Sequence, residues 1–80
     1  STQAAVLGGR IFIGGPAGGI YALDAKTGCA YWKFETEGEV RGAIQAYKRD
    51  DGKLMLIAGD RKAAVYGIDA DSGKQLWKDK

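Results

Sequence analysis

Apolar residues along this chain fall in short runs of about five, each closed by glycine, aspartate or a charged cluster, and no stretch repeats them at helical spacing. The runs predict strands over Thr2 to Leu7, Arg10 to Ile13, Gly19 to Asp24, Ala30 to Phe34, Val40 to Tyr47, Leu54 to Ala58, Ala64 to Asp69 and Lys74 to Lys78. Gly8-Gly9 and Arg49-Asp50-Asp51-Gly52 read as hairpin turns. The stretch Gly14 to Gly19, with four glycines and a proline in six positions, reads as a bent loop. Leu54 to Ala58 and Ile11 to Ile13 are apolar without alternation, the pattern of strands covered on both faces.

The runs also repeat. Without a gap, Gly14 aligns with Gly59, Tyr21 with Tyr66, Asp24 with Asp69, Gly28 with Gly73, Trp32 with Trp77 and Lys33 with Lys78, an offset of 45 residues. Similar residues fill the gaps, Ile20 with Val65, Leu23 with Ile68 and Thr27 with Ser72. Asp24 opens a turn whose backbone N–H groups its carboxylate can accept, and Gly28 stands at the turn's left-handed position. Asp69, Ser72 and Gly73 repeat that arrangement. Four short antiparallel strands in each repeat of about 45 residues describe a β-propeller blade. The fold class is therefore all-β, two four-stranded blades, with blade 1 over residues 1–35 and blade 2 over residues 36–80. Each tryptophan lies in the outermost strand of its copy, where its ring can pack on an adjacent blade and its N–H can find a backbone acceptor.

The segments Ala22 to Trp32 and Gly67 to Trp77 resemble the tryptophan-docking motif Ala-x-Asp-x-x-Thr-Gly-Lys-x-x-Trp of quinoprotein propellers, the pyrroloquinoline quinone (PQQ) dehydrogenases and their cofactor-free relatives. Cys29 stands where the motif has lysine, and Gly67 where it has alanine. Gly-Gly-Arg-Ile-Phe-Ile-Gly-Gly ahead of the first copy and Glu-Val-Arg-Gly-Ala-Ile behind it look like the polyvinyl-alcohol dehydrogenase branch. The resemblance implies a periplasmic parent family that binds PQQ with calcium.

Composition narrows the picture. A formal charge of +2, with no block of five like charges, carries no nucleic-acid footprint, and no run approaches the ~18 apolar residues of a membrane helix. Cys29 is the sole cysteine and histidine is absent, so neither an internal disulfide nor a Cys/His metal set can form. An 80-residue chain buries only roughly 60% of its extended surface, and two blades leave two faces uncovered. Closed propellers need roughly four to eight blades. Further blades of a parent chain, four copies closing an eight-blade ring, or a smaller face-to-face oligomer would each cover the faces. The ends of the chain coincide with blade boundaries, which favours a homo-oligomer.

The motif residues Asp24, Thr27, Gly28, Trp32, Asp69, Ser72, Gly73 and Trp77 read as builders of turns and blade contacts, with no catalytic residue among them. In propellers of the resembled family, ligands sit at one mouth, on the loops entering the innermost strand and joining the middle strands. Here those loops carry Glu39, Arg41, Asp60, Arg61 and Lys62. PQQ has three carboxylates and an ortho-quinone, so cations must face it, and Arg41 leads the candidate cofactor contacts with Glu39, Asp60 and Arg61 beside it. A solvated or blade-bridging arginine is the plainer reading of Arg41. Two functions follow: a structural, self-associating module without catalysis, or the PQQ-binding part of a periplasmic quinoprotein alcohol dehydrogenase.

Overall fold

The computed structural model describes residues 4–80 as eight strands. They are β1 (Ala5–Leu7), β2 (Arg10–Gly14), β3 (Ile20–Asp24), β4 (Ala30–Phe34), β5 (Val40–Lys48), β6 (Leu54–Asp60), β7 (Val65–Asp69) and β8 (Gln75–Asp79). They form two antiparallel sheets of four, each in simple chain order. All eight strands expected from the sequence are present, and no helix occurs among the described residues. Thr2 and Gln3, expected to begin the first strand, lie outside the described residues. Strand β6 runs two residues past the expected Ala58, because Gly59 and Asp60 still pair with Arg41 and Val40 of β5.

The expected turn chemistry is in place. Gly28 and Gly73 have φ of 76° and 79°, and each donates its N–H back to the aspartate that opens its turn at 2.8 Å. Both β3–β4 and β7–β8 carry a register shift at equivalent places, Ala22/Leu23 and Gly67/Ile68. In β5 the pairing jumps between Arg41 and Gln45, with Gly42 at φ 73°. Two residues are looped out there, so Val40 and Ile44 keep the same face and both are buried.

The core lies between the sheets. Phe12, Ile20 and Ala22 of the first sheet meet Leu56, Ala58, Tyr66 and Ile68 of the second and Ala64 just before β7, all nearly solvent-free. Fully burying one such large side chain stabilises by roughly 1.5–3 kcal/mol. Because this chain covers each sheet on one face only, the apolar runs alternate in burial where the sequence does not alternate in polarity. Phe12 is buried between half-buried Ile11 and Ile13, and Leu56 between half-buried Met55 and Ile57.

Trp32 bridges the sheets. Its indole N–H donates to the Ala70 carbonyl at 3.0 Å, and its ring covers Gly73 so closely that a Cβ there would lie 2.5 Å from Trp32 Cδ2. Phe12 and Phe34 flank this contact, at 6.0 Å from Trp32 and 5.3 Å from Tyr66 between ring centroids. At the same end Arg10 reaches Ala70 O at 3.3 Å and Asp71 O at 3.1 Å while lying 4.0 Å over the Tyr31 ring. An open cleft of about 260 Å³ remains below this contact, lined mainly by Leu7, Phe12, Leu54 and the stem of Arg10.

Candidate functional site at the mouth end

At the opposite end of the sheets three segments converge: the β2–β3 loop, the connector from Glu35 to Glu39, and the β6–β7 loop. Thr36 ties the first two, accepting from Gly19 N–H at 2.7 Å and donating to Gly38 O at 2.6 Å. Asp60 ties the last two. Its Oδ1 accepts from Lys62 N at 2.9 Å and Ala64 N at 3.0 Å, and its Oδ2 from Gly38 N at 2.9 Å and the Tyr66 hydroxyl at 2.7 Å. The Tyr66 oxygen in turn accepts from Glu37 N at 2.9 Å.

Asp60 is therefore a buried anchor of these segments and not a surface carboxylate. It is 2% exposed, and four hydrogen bonds use the roughly four acceptor positions a carboxylate has. Burial alone would raise its pKa, yet the Tyr66 hydroxyl and three backbone N–H groups outweigh that and hold it at about 2. The same burial pushes the Tyr66 hydroxyl up.

The other candidates remain at the surface. Arg61 lies over Glu39, Nε to Oε1 at 2.9 Å, with the Arg61 N–H on the Glu39 carbonyl at 2.9 Å. Both side chains are more than half exposed, so the pair fixes direction more than it stabilises. Lys62 is exposed and holds Asp60 through its backbone. Arg41 is exposed at the start of β5, between buried Val40 and the Gly42 bulge, and forms no ion pair among the described residues. The sequence reading missed Glu37, which binds Lys78 and, at 2.6 Å, Lys80, tying the last strand to the connector. It also missed the Asp60–Tyr66 pair, although the repeat alignment holds a hint, since it sets Asp60 against Gly15. No group of three or more acidic, cysteine or histidine side chains that could hold a metal occurs among the described residues.

The turns carrying the repeated aspartates lie at the far end. Asp24 accepts from Lys26 N, Thr27 N and the Tyr31 hydroxyl, at 2.8, 2.9 and 2.6 Å. The tyrosine and then the two N–H groups lower its pKa to about 2. Asp69 receives Ser72 N and Oγ on one oxygen, while the other is buried without a partner. The residue equivalent to Tyr31 is Leu76, which has no hydroxyl to give. Cys29 is an exposed free thiol in this region.

With two sheets in register, a repeated aspartate turn and an indole on the next sheet's glycine, the architecture is that of adjoining propeller blades. The model of a PQQ-repeat family, described as outer membrane protein assembly factor BamB, matches residues 1–80. The chain belongs to that family. It is 42% identical over 79 residues to a polyvinylalcohol dehydrogenase of Sphingopyxis sp. (strain 113P3), an alignment covering 95% of this chain and 12% of the relative. The crystal structure of BamB from Moraxella catarrhalis superposes with a TM-score of 0.77 at 23% identity, over 98% of this chain and 23% of that one. A europium-containing methanol dehydrogenase gives 0.73 at 26% identity, over 95% and 14%. The chain thus spans about an eighth of the dehydrogenase and under a quarter of the assembly factor. No helix of the structure is long and apolar enough to cross a membrane among the described residues.

Proposed function

We propose that this chain is a two-blade structural portion, residues 1–35 and 36–80, of a periplasmic PQQ-dependent alcohol dehydrogenase-like propeller. By itself it is a self-associating module without catalysis. The observation that carries this reading is the use of the mouth-end polar groups for stitching: Asp60, Thr36 and Tyr66 hold the connector, and Glu39 and Arg61 hold each other.

PQQ presents three carboxylates, and opposite them this chain offers one unpaired guanidinium, Arg41, next to an ion pair that is already satisfied. The residues present do not fit the cofactor as a complete site. Nor do Glu39 and a fully committed Asp60 supply the six to eight oxygens of a calcium site. In a complete ring Arg41 would contribute one contact, with other blades supplying the rest. The identity of 42% to a polyvinylalcohol dehydrogenase favours the second reading, a PQQ-binding part of such an enzyme.

Titration with PQQ, with and without calcium, followed by absorbance and calorimetry, separates the two. The structural reading expects no micromolar binding by the chain while its circular dichroism stays that of a folded β-protein. Micromolar binding that weakens at least tenfold in Arg41→Ala would establish the second.

A further inference from the structure

The contact between the two blades is a template whose halves recur, unpaired, on the outside of the molecule. Cross-strand pairing places Phe12, Ala22 and Trp32 on one face of the first sheet, and that face packs on Leu56, Tyr66 and Ile68 of the second. Adding 45 to the first set gives Ile57, Gly67 and Trp77, which line up across β6, β7 and β8 in the same way and face outward. Subtracting 45 from the second gives Ile11, Tyr21 and Leu23, the half-buried outer face of the first sheet. Val65 is 37% exposed where its equivalent Ile20 is fully buried, and Trp77 is 38% exposed.

The acceptor of the indole is duplicated as well. Trp32 uses Ala70 O and the bare face of Gly73. The equivalents Ala25 and Gly28 are exposed, and nothing lies within 4 Å of the place a Gly28 Cβ would occupy. One difference separates Trp77 from Trp32. Trp77 pairs across strands with Gly67 and its ring lies flat on that glycine, within the space a Cβ would fill. At the equivalent position the first blade has Ala22, whose Cβ closes that seat.

Building on the self-association proposed above, we propose that the chain binds a second copy of itself head to tail. Trp77 leaves Gly67 and docks on the Ala25–Gly28 turn of the next molecule, as Trp32 docks on Ala70 and Gly73 within one. A copy is the occupant argued for because both halves of the contact exist on this one chain, related to the internal contact by a single shift in sequence. Charge agrees. Asp79 replaces Phe34 at the rim of the outward face, and the copy's Tyr21 lies beside Lys33 with Gly15 where Tyr66 has Asp60. Lys33 pairs with Glu35 of its own chain at 3.0 Å, and Asp79 of the neighbour would bring a second carboxylate to it. Such a contact uses two different surfaces, so it propagates and closes only as a ring. Gly67 acts as a resting place that lets a free end bury part of its tryptophan.

The test uses two variants that each disable one half, Ala25→Arg at the exposed acceptor turn and Trp77→Ala at the donor. The wild-type chain should sediment at micromolar concentration above twice 8.5 kDa. Each variant alone should sediment as a monomer, and an equimolar mixture as a heterodimer, because each retains the half its partner lacks. Gly67→Ala, which closes the seat, should tighten wild-type association several-fold. Circular dichroism checks that the variants are folded, and Trp77→Phe substitutes if Trp77→Ala is not. A folded wild-type monomer would overturn the self-association itself. Variants that associate alone, or fail to complement each other, would overturn the head-to-tail contact while leaving self-association standing.

Discussion

Trp32 and Trp77 occupy the same place in two copies of one repeat and end in different surroundings. Trp32 gives its N–H to a carbonyl of the other blade and packs beside Phe12. Trp77 lies across its own strand pair, on a glycine, with over a third of its surface in water. The motif therefore does not determine what its tryptophan contributes. The neighbouring blade does, because an indole stabilises in proportion to the apolar area it removes from water and to a partner found for its N–H.

Trp32→Ala removes the indole that the neighbouring blade has partly buried. It opens the interface, leaves the Ala70 carbonyl only the longer contact from Arg10 and bares Gly73, and should cost about 3 kcal/mol in urea unfolding. Trp77→Ala should cost no more than about 1 kcal/mol in the monomer, since little of what it covers is core. Equal losses would mean that the internal contact is not what holds the blades together.

The mouth end offers a second pair, Asp60 in one copy and Gly15 in the other. Asp60→Asn keeps one acceptor oxygen for Lys62 and Ala64 but turns an amide toward Gly38 N–H, leaving a donor unsatisfied where a carboxylate was. The expected loss is about 3 kcal/mol, a large share of the stability of a chain this size. Acid should do the same gradually. The folded pKa of Asp60, about 2, lies below the ordinary carboxylate value. Its contribution is therefore complete above about pH 5 and fades as pH falls through about 4 toward 2. Melting temperatures between pH 7 and 2 should drop along that course in the wild type and less steeply in Asp60→Asn, where Asp24 and the other lowered carboxylates still respond to acid; parallel curves would remove Asp60 as a cause.

A smaller contrast lies in the aspartate turns, where Tyr31 completes Asp24 and Leu76 leaves an oxygen of Asp69 bare. Leu76→Tyr should supply the missing hydroxyl and raise stability by about 1 kcal/mol in chemical denaturation. No gain would show that the bare oxygen carries no penalty.

These contrasts also mark how far the sequence could be read. The strands, both glycine turns and the propeller class were legible because apolar runs, Asp/Gly spacing and a repeat report local backbone geometry, which each copy fixes for itself. That the β2–β3 loop, the connector and the β6–β7 loop lie at one end was an expectation from the family resemblance, and no local pattern in the sequence carries it. The role of Asp60 was not legible either. A buried carboxylate and an exposed one look alike in a sequence, and what separates them is whether four donors from Gly38, Lys62, Ala64 and Tyr66 happen to point at one place. The seat of Trp77 was equally hidden, although Gly67, where the first copy has Ala22, leaves the room its ring occupies.

The least of the expected effects concerns the loop Asp60 holds. Ala63 has φ of 68°, the single positive value on a residue other than glycine among those described, and its equivalent in the first blade is Gly18 at φ 98°. An alanine in the left-handed region costs roughly 1–2 kcal/mol, which persists because Asp60 bonds the N–H groups on both sides of it, at Lys62 and Ala64. Ala63→Gly removes that strain but gives the unfolded chain more freedom, about 0.4–1 kcal/mol in the opposite direction. The difference should be a gain of about 0.5 kcal/mol in urea unfolding. In the Asp60→Asn background, where the clamp is weakened and the loop can relax, the same substitution should give almost nothing. A gain that stays the same in both backgrounds would mean that the carboxylate does not hold the strained turn, and that the two blades differ at this end in composition only.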